Sequence, residues 1–302
     1  QKLRRLYLYK ALEHVKKHDS SSQCLMLVYS ILKESYYDLQ FDYENSLKAI
    51  LKELDTKFGL LELLISDIES YQMKAKKTLE GCKDYSKTNT ALRETVLVGK
   101  YNHHINFSNR LDFLEYLLTY ENYSLSIKGN HIERLWEVYV VNSLFDTDKS
   151  TFLNWISPRY NARTGDTTYI LSKKEVAFFF DNILSNKSKL DMENLSPDGF
   201  ACFSAYFKLI NELEYCFKTA KNGAFKVCDL KYKGQNQLWE MFLTCKNKET
   251  LDLIVRLIVD CHLRLDESLE AKKNVLWDEI VSKCMNYLKE GYSNKNEHLI
   301  NR

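Results

Sequence analysis

Apolar residues recur at three- and four-residue intervals from Leu3 to about His18 and again from Gln23 to about Leu39, the period of an α-helix with one buried face. Between them the run SSSQ offers Ser20 and Gln23 as a capping box, so the spacing predicts a helical hairpin. Helices are predicted over 43–57 and 60–80, the second closed by Gly81 as a natural C-cap. Residues 82–97 lose the period and read as a loop, the best candidate for a subdomain boundary. Beyond it, Phe107, Leu111, Leu114 and Leu118 form one apolar stripe, and Ile132, Leu135, Trp136 and Tyr139 begin another. Asp148 is expected to cap a helix carrying Phe152, Trp155 and Ile156 that stops at Pro158, before a polar loop, RYNARTGDTT.

Ser172 and Glu175 form a second capping box, and Ser196 followed by Pro197 reads as an N-cap with proline at the first helical position. The least helical part is 212–234, where β-branched and aromatic runs flank Asn222 and Gly223, the pair that closes tight hairpins. Leu238, Trp239 and Phe242 then open a helix. Leu251, Ile254, Val255, Ile258 and Val259 form a further stripe, and Trp277, Ile280, Val281, Cys284 and Leu288 the last. After Tyr292 the chain is polar.

Composition strengthens the helical reading. Two prolines and nine glycines in 302 residues are too few for a fold with many tight turns. A short echo, L-W-E at 135–137 and 238–240 and L-W-D at 276–278, links three of the helices, the last two about one helical-repeat period apart. The expected fold is therefore all-α: an irregular armadillo- or HEAT-like α-solenoid with one small β-hairpin near 213–233. Its expected organisation is an N-terminal helical subdomain over 1–95, a helical-repeat subdomain over 96–291 and a polar tail over 292–302. Because Gln1 already lies inside a helical pattern, the chain reads as a piece of a longer one.

Charge narrows the partners. Lys plus Arg is 43 against 41 for Asp plus Glu, so no global field draws in a polyanion, and nucleic acid is not expected. The densest basic run, KAKKTLEGCK at 74–83, lacks aromatic residues at stacking spacing and reads as a solvated helix face. Cys24, Cys82, Cys202, Cys216, Cys228, Cys245, Cys261 and Cys284 include no C-x-x-C. That pattern suits free thiols in a reducing compartment, so the expected location is the cytoplasm, with the nucleus left open. N-x-S sequons at Asn106, Asn122, Asn186 and Asn194 are read as chance. No apolar run approaches the roughly eighteen residues needed to cross a bilayer, so membrane insertion is not expected.

Several residues invite chemical readings. His103 and His104 are adjacent; on a helix they point about 100° apart, which suits no single metal. Zinc also wants about three or four ligands, and the next histidine is His131. A structural histidine beside a helix start is the preferred account. His14 and His18 lie one helical turn apart, but cationic groups in a last turn already suit the helix dipole. His262 extends the Ile258 stripe and reads as a half-buried packing residue. Asp146, Asp148 and Ser150 alternate as in a calcium loop, yet Thr151 stands where that loop needs glycine and Ser157 where it needs glutamate. Cys202 sits mid-helix among aromatics, where burial makes a thiol inert. No phosphate-binding glycine loop or nucleophile elbow occurs. No catalytic, cofactor or metal residues are expected, no cofactor is assigned, and binding residues are not legible.

The segment LVGKYNHHINFSNRLDFLEYLL nevertheless resembles one in the large fat-facets-type ubiquitin-specific proteases, through Gly99, Lys100, Tyr101, His103, Arg110, Leu111, Phe113, Leu114, Leu117 and Leu118. NLSPDGFACFSAYFKLIN is similar to a second landmark of that family, through Leu195, Ser196, Gly199, Cys202, Phe203, Tyr206, Phe207 and Asn211. Asp229, Leu230 and Gly234 leading into Leu238 and Trp239 resemble a third. The similarity is clearest over about 97–288, and the first ninety residues match only in helical character. The resemblance implies the non-catalytic helical region that precedes the catalytic domain of a large deubiquitinase, a thiol protease that removes ubiquitin. Neither the family's cysteine box nor its histidine box occurs in this sequence. Expected partners are proteins, ubiquitinated substrates among them. The alternative expectation is an α-solenoid adaptor unrelated to ubiquitin.

Overall fold

The computed structural model describes residues 2–17, 21–34, 43–119, 125–160, 167–168, 170–219 and 224–294. Helices α1 (Lys2–Lys16) and α2 (Ser21–Glu34) form the expected hairpin, closed by Leu8, Leu12 and Val15 against Leu25, Val28 and Leu32. Its proposed cap, Ser20, lies outside the described residues. Helix α3 (Tyr43–Phe58) turns into α4 (Leu60–Glu80) through Gly59, whose φ of +61° is a left-handed conformation open to glycine. Asp55 fixes this corner: its carbonyl accepts from Gly59 N at 2.7 Å and its carboxylate from Leu60 N at 3.0 Å.

Helix α4 is the spine of the first unit. Leu61, Leu64, Ile65, Ile68, Tyr71, Ala75 and Leu79 are buried along it, and it packs against α1, α3, α6 (His103–Thr119) and α7 (Gly129–Trp136). Gly81 does occupy the cap position, but with an ordinary right-handed φ of −76° rather than a left-handed one. Residues 82–97 are not the featureless loop that their lost periodicity suggests. They hold α5 (Thr90–Thr95), and the segment is tied down by Tyr85, whose hydroxyl donates to Leu144 O at 2.8 Å, and by Asp146 N donating to Lys87 O at 3.1 Å. Two short strands, β1 (Leu97–Val98) and β2 (Tyr101–Asn102), follow around Gly99, whose φ is +78°.

Helix α7 continues into a π-helical turn, Glu137–Val141, that shifts the register of Val138, Tyr139 and Val140 against α4. Helix α8 (Asp146–Ile156) begins at Asp146, so Asp148 is a first-turn residue rather than the cap expected from the sequence, because its carboxylate is engaged in the interior. The chain divides near this helix end into two compact units, residues 1–155 and 156–302. The segment 82–97 lies within the first unit.

In the second unit, Arg159–Tyr160 (β3) pairs with Thr167–Thr168 (β4), framing part of the stretch read as a polar loop. Helix α9 (Lys173–Phe179) runs into a second π-helical turn, Phe180–Leu184. Ser172 is its N-cap residue, but its hydroxyl bonds the Glu175 carboxylate and makes no cap bond to the backbone. Helix α10 (Pro197–Leu213) starts as read: Ser196 Oγ accepts from Gly199 N at 3.1 Å and Pro197 follows. This helix is the aromatic core of the unit, with Phe203, Tyr206 and Phe207 essentially inaccessible and Phe179 edge-on to Tyr206 at 4.8 Å. The hairpin near 213–233 is present as β5 (Phe217–Thr219) and β6 (Phe225–Val227), in register Phe217 to Val227; Asn222 and Gly223 lie outside the described residues. Helices α11 (Gln235–Thr244), α12 (Lys248–Leu263) and α13 (Lys273–Ser293) complete the fold, a 3-10 turn at Glu267–Lys272 leading into the last. The echoed leucines Leu135, Leu238 and Leu276 are all buried. The chain is thus a helical repeat fold with three two-stranded sheets among the described residues. Of the tail over 292–302, α13 covers Tyr292 and Ser293, and 295–302 lie outside the described residues.

Candidate functional site

The most polar part of the interior is in the first unit, where β2 delivers the chain into α6. His103, 1% exposed, has Nδ1 at 2.6 Å from the Tyr71 hydroxyl and Nε2 at 2.7 Å from Asp148 Oδ2. Arg93 Nε donates to the other carboxylate oxygen at 2.7 Å. A carboxylate only accepts, so His103 Nε2 donates to Asp148, and Nδ1 and the Tyr71 hydroxyl share the second bond. The row Tyr71, His103, Asp148 has the connectivity of a nucleophile, base and orienter. Its burial denies it that role. Desolvation pushes the Tyr71 hydroxyl far above its ordinary range, and Asp148 faces Arg93 rather than solvent. What the row does is join α4, α5, α6 and α8 at one point.

Two turns further along α6, Arg110 Nε donates to Asp67 Oδ2 at 2.9 Å, both residues 1% exposed. The guanidinium also stands 4.2 Å from the centre of the Tyr71 ring and donates to Asn106 O at 3.0 Å. Asn106 is fully buried, its amide donating to the carbonyls of Val98, Tyr101 and Asn102, so the sequon there is a structural asparagine. Each charged or amide group in this cluster therefore holds backbone or another buried charge, as buried polar groups must.

The remaining sequence candidates are dispersed. The Nδ1 of His104 has no hydrogen-bond partner among the described residues. His14 is exposed in the last turn of α1, and His18 lies outside the described residues. His262 is buried rather than half-buried; its Nδ1 bonds Ile258 O at 2.7 Å, and desolvation lowers its pKa. Cys202 is 1% exposed, and burial pushes its thiol up to about 12, so it holds no thiolate near neutral pH. Cys261 is likewise pushed up to about 12 by burial. Among the described residues no three His, Cys, Asp or Glu side chains stand close enough to hold a metal ion, and no helix is long and apolar enough to cross a membrane.

Sequence reasoning passed over Asp67, Arg93 and Arg110 as a cluster. The available signal was an arginine inside an apolar run, Arg110 before Leu111 and Phe113; its partners lie too far along the chain for spacing to reveal. The second landmark is explained by packing: Asn211 brackets Lys233, accepting from its N–H at 2.7 Å and donating to its carbonyl at 3.0 Å, which sets Gly234 against Phe180 and Phe207.

Comparison with known proteins places these landmarks. The family described as "UBP24/USP9X/USP9Y ARM repeat" matches residues 1–211. The match includes the first ninety residues, whose likeness to the family is not legible beyond helical character, and it stops before the third landmark at 229–239. Among individual proteins, the chain is 21% identical over 247 residues to the probable ubiquitin carboxyl-terminal hydrolase FAF of Drosophila melanogaster, covering 82% of this chain and 8% of that one. It is 23% identical over 244 residues to ubiquitin carboxyl-terminal hydrolase 9Y of Homo sapiens and to hydrolase 9X of Mus musculus, each covering 80% of this chain and 9% of the relative. The chain thus spans less than a tenth of the relatives it matches. With the family match running over more than half of its length, across the helices that bury Asp67, His103 and Arg110, the chain belongs to the ARM-repeat family of UBP24, USP9X and USP9Y.

Proposed function

We propose that this chain is a non-catalytic helical scaffold segment of a large deubiquitinase. It recruits substrates or protein partners for ubiquitin removal by a cysteine protease domain that these residues do not include, in the cytoplasm. The observation that carries the reading is the ARM-repeat match over 1–211, with relatives that are ubiquitin carboxyl-terminal hydrolases. The interior agrees with it: the groups that resemble a catalytic row are consumed in joining helices, and the best-placed thiol is buried with a raised pKa. A tethering segment raises the local concentration of a substrate without adding chemistry.

The test is capture combined with turnover. The immobilised chain should retain ubiquitinated substrates or partners of the parent hydrolase, and the purified chain should release no fluorophore from a ubiquitin conjugate. Failure to retain any of them would count against the reading. Fluorophore release that vanished on Cys202→Ala would replace it with an enzyme.

A further inference from the structure

A cavity of about 330 Å³ opens in the second unit, where the loop before α11, the last turns of α12 and the first turns of α13 converge. That volume lies at the small end of ligand sites. Leu230, Val275, Leu276 and the Tyr232 ring give it apolar walls. His262, 7% exposed, is on the same wall. A backbone carbonyl only accepts, so Nδ1, at 2.7 Å from Ile258 O, carries the ring proton, and Nε2 of the neutral ring keeps a bare lone pair. No described residue bonds that nitrogen, yet it is not sealed by protein atoms. With the rest of the ring buried, the space it meets is the cavity. Burial also lowers the pKa of this ring, which keeps the lone pair bare at neutral pH. Beside it, the Gln235 amide donates to the Tyr232 oxygen, whose own proton goes to Cys261. A primary amide carries two N–H groups, so Gln235 has a second one to give.

We propose that this cavity binds a phenol, either a free small molecule or the tyrosine side chain of a partner protein. A phenolic hydroxyl donates one proton and accepts through its oxygen, so it answers both the bare His262 nitrogen and the spare Gln235 N–H. Its ring suits a wall that already holds the rings of Tyr232 and His262, since aromatic pairs attract beyond the area they bury. Other chemistries fit less well. A carboxylate or phosphate would set an acceptor against the lone pair, and an ammonium would lose its hydration among apolar side chains. An indole N–H donates but cannot accept, which leaves Gln235 without a partner. The proposal stands on the cavity and does not depend on the recruiting role.

The experiment titrates the whole 302-residue chain, isotope-labelled at histidine, with phenol and with anisole, the methyl ether that cannot donate, and follows the ring nitrogens by NMR. The His262 signals are assigned by their loss in His262→Gln. Phenol is expected to shift the Nε2 resonance saturably, and anisole to bind at least about tenfold more weakly, the effect of one hydrogen bond lost at a buried acceptor. Val275 is 58% exposed at the cavity mouth, so Val275→Trp leaves the core intact and should abolish the phenol shift. Val281→Trp, on the same helix, 55% exposed and off the cavity wall, should leave it unchanged. Tighter binding of N-acetyltyrosinamide than of phenol supports the proposal and assigns the ring to a partner's tyrosine; the reverse supports it and assigns a free phenol. Absence of a saturable shift, equal affinity for phenol and anisole, or phenol binding that survives Val275→Trp overturns it.

Discussion

Arg110 and Asp67 form a charge pair in which each residue is 1% exposed, and such a pair makes a sharper prediction than any exposed one. Removing Arg110 takes from the buried Asp67 the ion pair that offsets its desolvation, so Arg110→Leu should cost roughly 3–5 kcal/mol, whereas the Asp67→Leu/Arg110→Leu double variant should be the more stable of the two. Urea unfolding of both proteins measures the difference, and equal destabilisation would show that the pair is not coupled. His262 supplies a pH dependence. Its folded pKa lies below the ordinary 6.5 because burial disfavours the charged ring, so between those values the unfolded chain binds more protons. Stability from this residue is complete above 6.5 and declines as pH falls through the folded value. The thermal midpoint should therefore drop from pH 7.5 to pH 6, and His262→Gln should flatten that slope; an unchanged slope would place the titration elsewhere. At this scale the sequence was half legible. His103 reads as structural from its neighbours alone, but its bond to Asp148 joins residues 45 apart, and no local pattern encodes such a partner.

Among the elements, glycine marks where backbone and packing conflict. Gly99 and Gly234 both have positive φ, but a Cβ at Gly99 meets nothing, while one at Gly234 would stand 2.8 Å from Phe180 and Phe207 ring carbons. Gly99→Ala should cost about 1 kcal/mol, the left-handed penalty alone. Gly234→Ala adds overpacking of about 1–3 kcal/mol to the same penalty. Differential scanning calorimetry of the two variants reads the gap directly, and similar midpoints would show that the aromatic wall yields. Helix starts and stripes were legible where the signal is local: Ser196 and Pro197 open α10, and Leu111, Leu114 and Leu118 are all buried. The π-helical turns at Glu137–Val141 and Phe180–Leu184 were not, since widening one turn leaves the apolar spacing nearly intact. Likewise β1 and β2 are too short for alternation to register, although Gly99 between them was visible.

At the scale of the molecule, the helical character, the scarcity of turns and the family landmarks agree, and landmark residues turn out to join helices or hold backbone: His103 and Arg110 in the first unit, Asn211 and Gly234 in the second. A binding face was not legible, because a repeat protein presents partners with a surface rather than a motif. The division between residues 155 and 156 also escaped the sequence, since it falls at the end of α8 and not in a Gly- or Pro-rich linker. The central claim is that this segment recruits and does not catalyse. The most direct test deletes it from the full-length hydrolase and compares kcat/KM on a ubiquitin fluorophore with kcat/KM on a ubiquitinated protein that the isolated segment retains. The account predicts an unchanged fluorophore value and a fall of at least about tenfold on the protein substrate, the loss of effective concentration. A parallel fall in both would place the segment in the catalytic machinery, and no change in either would contradict recruitment.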